Sequence, residues 1–109
     1  MLTLESFKAA RKTLDGVLHP PDLIYSPFFT KTTGNHAYIK PENMQVTGAY
    51  KIRGAYFKCS TLSEEEKARG LVTASAGNHA QGVAYAARAA GVAATIVMPT
   101  TTPLVKVNN

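Results

Sequence analysis

One lysine stands in an unusual setting. Lys51 follows an aromatic, Tyr50, inside the octapeptide Thr47-Gly-Ala-Tyr-Lys-Ile-Arg-Gly54, with a glycine on either side. A lysine that only solvates a helix surface needs none of this. A lysine that must react as an amine needs a lowered pKa, a flat partner pressed against an aromatic, and backbone that a ligand can approach. Taken alone, the octapeptide also fits a solvated lysine near a helix start. A second stretch, Thr73-Ala-Ser-Ala-Gly-Asn-His-Ala-Gln-Gly82, lies downstream. There a strand end turns into a helix start, which exposes free backbone N–H groups and the positive end of the helix. Ser75 to His79 therefore read as an anion site. His19, His36 and His79 are too dispersed for a metal centre, and no metal-ligand spacing is present.

The elements that must position these residues follow from pattern. Leu4, Phe7, Ala10, Leu14 and Val17 recur at helical spacing, with Thr3 as cap and Gly16 as stop. Ser6 stands where a full capping box would have Glu. Prolines at 20, 21 and 27 suggest an extended run from Pro20 to Phe29. Residues 32–35 read as a turn and His36 to Lys40 as a short strand. A helix is expected from about Tyr50 to Thr61, with Ile52, Ala55, Tyr56 and Cys59 facing inward. Ser63 and Glu66 form a capping box for the next short helix, which Gly70 closes. Leu71 to Ala74 is a strand, Gly77 to Ala90 an alanine-rich helix, and Ala93 to Met98 a second strand. Strand, helix and strand at this spacing predict a βαβ unit and a parallel sheet.

Composition sets bounds. A hydrophobic content of 45% is that of a globular chain. No apolar run approaches the roughly 18 residues that span a membrane. The N-terminal residues lack the basic and apolar regions of a secretory signal. The single cysteine, Cys59, excludes an internal disulfide and suits a reducing cytoplasm, with the thiol read as a small buried apolar group. The net charge of +5 raises a nucleic-acid reading, but the basic residues are scattered, with no interleaved aromatics. No nucleic-acid or membrane partner is expected.

The two stretches together, in this order and spacing, resemble the fold-type II pyridoxal-phosphate enzymes, and within them the threonine dehydratases (threonine ammonia-lyases). The anchors are Thr47 to Ala55, Ser75 to Ala84, and Ile96-Val-Met-Pro99 followed by Lys106. The resemblance covers about Leu4 to Asn109. One departure is visible: the family has Ser-Phe before the lysine, and here Ala49-Tyr50 keeps an aromatic but loses a hydroxyl.

The resemblance implies an α/β fold: an incomplete fold-type II architecture, similar to tryptophan synthase β, with a parallel sheet in three layers. It places residues 1–65 in the large cofactor-binding domain and 66–109 at the start of the small domain. It implies pyridoxal 5'-phosphate as cofactor, carried as a Schiff base on Lys51, with Tyr50 against the ring and Asn78 hydrogen-bonded to its hydroxyl. The loop of Ser75, Ala76, Gly77, Asn78 and His79 would hold the carboxylate of a small amino-acid substrate, which corrects a phosphate-loop reading. His79 is given a structural role, because Lys51 already supplies the base. Arg53 is expected to make structural hydrogen bonds. The implied reaction removes the Cα proton, eliminates the β-hydroxyl and yields 2-oxobutanoate from L-threonine, or pyruvate from L-serine, with ammonia. Related racemases carry a hydroxyl at the position of Ala76 to deliver a proton to the opposite face; an alanine cannot, which favours elimination. The family's enzymes are several times longer and are read as homo-oligomers. The chain therefore reads as the N-terminal part of a longer enzyme, inactive by itself. The alternative is a non-catalytic truncated scaffold that assembles with a full-length relative.

Overall fold

The computed structural model describes residues 1–108, in which local signals set most helix ends. Helix α1 (Leu4–Leu14) starts at Thr3, whose hydroxyl accepts from the Ser6 N–H while the Ser6 hydroxyl accepts from the Thr3 N–H. Serine thus completes the capping box in place of glutamate. Strand β1 (Ile24–Tyr25) follows, then helix α2 (Pro27–Thr33). The extended reading of Pro20 to Phe29 holds only as far as β1. Pro27 starts a helix because its fixed φ and missing N–H suit the first helical position, and the buried Ser26 caps it by accepting from Phe29 N–H at 3.3 Å. The expected turn at residues 32–35 is the end of this helix.

Strand β2 (Tyr38–Ile39) pairs antiparallel with β1, Tyr25 opposite Tyr38, their rings edge to face at 5.6 Å. A 3₁₀ turn (Glu42–Met44) leads through Gly48 to helix α3 (Lys51–Ser60). Helix α4 (Glu64–Arg69) carries the expected Ser63–Glu66 capping box. Gly70 then reverses the chain at φ 79°, with its Cα side only 3.0 Å, at an added Cβ, from the Ala93 carbonyl oxygen. Strand β3 (Leu71–Ala74), helix α5 (Asn78–Ala90) and strand β4 (Ala94–Val97) form the βαβ unit, and helix α6 (Leu104–Asn108) follows. Strands β3 and β4 are parallel, in register from Leu71↔Ala94 to Ala74↔Val97. The described residues thus hold two two-stranded sheets, one antiparallel and one parallel.

The packed centre is small. Leu14, Leu18 and Ile52 form it, with Val17, Tyr56, Phe57 and Tyr85 against them. Ile52 is wholly buried. Helix α5 turns its small residues, Ala80, Gly82, Ala86 and Ala87, inward, and its main neighbour is α3. Strand β3 alternates: Leu71 and Thr73 are half-buried, while Val72 and Ala74 are exposed. One face of the parallel pair is therefore bare, whereas parallel sheets are usually covered on both. No helix among the described residues is long and apolar enough to cross a membrane.

Candidate active site

Lys51 is the first residue of α3, and Asn78 is the first residue of α5. Contacts along the two helices run in the same order. Gly82 abuts Ile52, and further along the Cys59 thiol donates to the Ala86 carbonyl at 3.7 Å. The helices therefore lie side by side in the same sense, and their N-termini share one end of the pair. The structure brings together there the two stretches that the sequence singled out.

That end differs from the other helix starts. Side chains of Thr3, Ser26 and Ser63 cap α1, α2 and α4. No side chain caps α3 or α5. Both starts thus have backbone N–H groups without a side-chain partner, and both positive helix ends lie at the same end of the pair, a setting that favours a negatively charged ligand. The Ser75 N–H donates to Val97 O at 3.0 Å, so the sheet anchors the base of the loop. The Ser75 hydroxyl accepts from the Gly77 N–H at 3.3 Å, which shapes the turn and leaves the O–H free to donate. Tyr50, Lys51, Ala76, Asn78 and His79 are exposed, and Ser75 and Gly77 are half-buried.

Arg53 is tied elsewhere. Its Nε donates to one Glu42 carboxylate oxygen at 2.9 Å and its Nη2 to the other at 2.7 Å. The guanidinium holds the Glu42 carboxyl below its usual range, chiefly through that hydrogen bond, against the opposing effect of burial. Glu42 in turn raises Arg53. The pair clamps the 3₁₀ turn to the first turn of α3, and so fixes the loop that delivers Tyr50 and Lys51. His79 lines a groove of about 230 Å³ with Gly54, Thr73 and Val83, between α3 and β3.

A second concavity, of about 510 Å³, lies on the other flank of α5, lined by Thr47, Gly48, Gln81, Tyr85, Arg88 and Lys106. Gln81 is buried there, and its Nε2 has no hydrogen-bond partner among the described residues. Sequence reasoning passed over Gln81 and Gly82. The available signal was a polar amide and a glycine set side by side in the middle of an alanine-rich helix.

The residues fit a flat, phosphorylated aldehyde cofactor. Lys51 offers an exposed amine, Asn78 an exposed amide, and a Cβ placed on Gly77 would meet nothing within 4 Å. The ground before the α5 N-terminus is therefore open to a ring.

Comparison with known proteins agrees with this chemistry. The chain is 56% identical over 107 residues to the L-threonine ammonia-lyase of Thermotoga maritima, covering 98% of this chain and 27% of that enzyme. Its fold matches the serine racemase of Dictyostelium discoideum with a TM-score of 0.90 at 36% identity, over 98% of this chain and 35% of that one. It matches threonine deaminase isoform 2 of Solanum lycopersicum with a TM-score of 0.78 at 38% identity, over 98% of this chain and 33% of that one. The chain thus spans about a quarter to a third of the length of these relatives. The model of the pyridoxal-phosphate dependent enzymes matches residues 15–109, and with the amine of Lys51 and the loop of Asn78 at one end of a helix pair, the chain belongs to that family.

Proposed function

We propose that the whole protein is a pyridoxal-phosphate-dependent threonine ammonia-lyase, which converts L-threonine to 2-oxobutanoate and ammonia, and L-serine to pyruvate and ammonia. The observation that carries this reading is the 56% identity to an L-threonine ammonia-lyase across 98% of the chain. Pyridoxal phosphate, when bound, withdraws electrons from the Cα of an attached amino acid.

The residues of this chain supply the rest. Lys51 would hold the cofactor through its amine and, when that amine is free, would take the Cα proton. Asn78 would help to hold the cofactor by donating a hydrogen bond from its amide, and Tyr50 would form part of the wall around it. The Ser75 hydroxyl and the free N–H groups at the start of α5 bind the substrate carboxylate, with Gly77 allowing close approach. Ala76 and His79 complete the wall of that loop. With the Cα proton gone, the β-hydroxyl would leave as water together with the proton that Lys51 took, and a second water would release ammonia. Ala76 has no proton to give to the face opposite Lys51, so the reading prefers elimination over racemisation.

The division into a large-domain part (1–65) and a small-domain part (66–109) belongs to the same proposal. Helices α3 and α5, one from each part, share a core within this chain. The whole protein is taken to be a homo-oligomer; the exposed Phe7, Phe28 and Leu104 offer apolar surface for assembly. A reducing cytoplasm suits its free thiol.

The test reduces the full-length protein with borohydride and maps the cofactor adduct, while 2-oxo acid and ammonia release from L-threonine is measured. The adduct should lie on the peptide of Lys51, and Lys51→Ala should remove it and lower kcat by at least about a thousandfold. An adduct on another lysine would sink the assignment of Lys51. Formation of the D-amino acid without 2-oxo acid would replace the lyase with a racemase, the activity named for the Dictyostelium relative.

A further inference from the structure

Helix α5 carries a glycine where local preference argues for alanine. Gly82 lies inside a helix, where glycine is less favourable than alanine. Its backbone does not require glycine, because its φ is not among the positive ones. The reason is spatial. A Cβ on Gly82 would lie 3.3 Å from the Ala55 Cβ and 3.4 Å from both the Cα and N of Ile52. Gly54, the other glycine inside a helix here, has nothing within 4 Å of an added Cβ. Gly82 is thus where the backbone of α5 comes up against the backbone of α3.

The place of this contact matters. The Ile52 nitrogen is the atom joined to the Lys51 carbonyl carbon. Gly82 is one helical turn beyond Asn78, on nearly the same face of α5. The close approach therefore lies between the lysine and the loop, one residue from the first and one turn from the second.

We propose that Gly82 is a positioning residue: by having no side chain it sets the separation between the Lys51 amine and the Ser75–Asn78 loop. Ala55 is its counterpart on α3. The inference rests on the reading that Lys51 and that loop form one active site. A methyl at position 82 would press on the Ala55 Cβ, which must give by a few tenths of an ångström, and would sit in contact with the Ile52 backbone, into which a branched side chain would push further. Lys51 remains free to bond the cofactor, and the loop remains free to bind a carboxylate. What changes is the distance over which the Cα proton must pass. Proton transfer is steep in that distance, while binding at each separate part is not.

The experiment compares full-length wild type, Gly82→Ala, Gly82→Val and the swap Ala55→Gly with Gly82→Ala. The swap keeps one alanine and one glycine in the helix pair, so intrinsic helix preference cancels, and it removes the tightest of the three contacts. Borohydride adduct on the Lys51 peptide is read for each protein, together with kcat and KM for L-threonine. The adduct should stay complete in all four. Gly82→Ala should lower kcat about tenfold and Gly82→Val about a hundredfold, with KM within about threefold of wild type. The swap should recover kcat to within about threefold. An unchanged kcat in Gly82→Val, or a loss in Gly82→Ala that the swap does not recover, overturns the proposal. If Gly82→Val does not fold, Gly82→Ala and the swap decide. A wild type with neither adduct nor 2-oxo acid refutes the functional reading, and the positioning role with it. An active wild type with unaltered variants refutes the positioning role alone.

Discussion

Removing the Arg53 guanidinium should make the stability of this protein less dependent on acid pH. Arg53 grips Glu42 at both carboxylate oxygens, at 2.9 and 2.7 Å. The two side chains are 33% and 21% exposed, so the pair is screened but not fully wet. Hydrogen bonds to charged groups contribute about 1.5–3 kcal/mol when buried, and exposed ion pairs about 0.2–1 kcal/mol. This geometry lies between them, and about 1 kcal/mol is the working value. The sign follows from Glu42. Its carboxyl titrates lower in the folded protein than in the unfolded chain, because folding brings Arg53 to it. The contribution is therefore complete above the unfolded glutamate pKa of about 4.3 and is lost as pH falls through the lower folded value. Urea unfolding of wild type, Arg53→Gln, Glu42→Gln and the double variant, taken between about pH 3 and pH 7, measures the coupling. It should be about 1 kcal/mol at pH 7 and shrink towards zero at the acid end. A coupling that does not change with pH would refute the reasoning, since only ionised Glu42 makes this bond at charge-assisted strength.

Two further substitutions test the frame around the site. Ile52→Ala should destabilise by about 3 kcal/mol, since this wholly buried side chain bridges α1, α3 and α5, and large-to-small core changes cost about 2–5 kcal/mol; a loss under about 1 kcal/mol in denaturant unfolding would contradict that packing. Gly70→Ala should cost about 2 kcal/mol, because the added Cβ meets both a φ of 79° and the Ala93 carbonyl oxygen at 3.0 Å. A thermal midpoint equal to that of wild type would show that the turn relaxes freely.

Where chemistry is local, the sequence was enough. Thr3, Ser63 with Glu66, and Gly91 mark helix ends because a cap needs only its own neighbours. The strands on either side of α5 followed from their apolar runs and the glycines between them. Pro27 misled, since the same residue stiffens an extended run and starts a helix; the cap at Ser26 decides which. The site was legible as two motifs but not as one place. The starts of α3 and α5 fall at one end of the pair because the two helices run in the same sense, and that packing rests on Gly82 and the alanines of α5, a long-range contact that no local motif announces. Arg53 was read as structural by elimination, and the structure adds its partner, Glu42, eleven residues earlier on the 3₁₀ turn.

The thiol of Cys59 gives the helix pair a built-in clock. It is the single cysteine of the chain, 4% exposed, and it points at the Ala86 carbonyl on the opposite helix. It also borders the groove of about 230 Å³ between α3 and β3, so a thiol reagent meets it slowly in the closed pair and freely when α3 and α5 separate. Its labelling rate, divided by that of an unfolded chain, therefore sets an upper bound on the fraction of time the pair stands open. The loosening of the helix pair can thus be followed at one native residue of this chain, with no probe added.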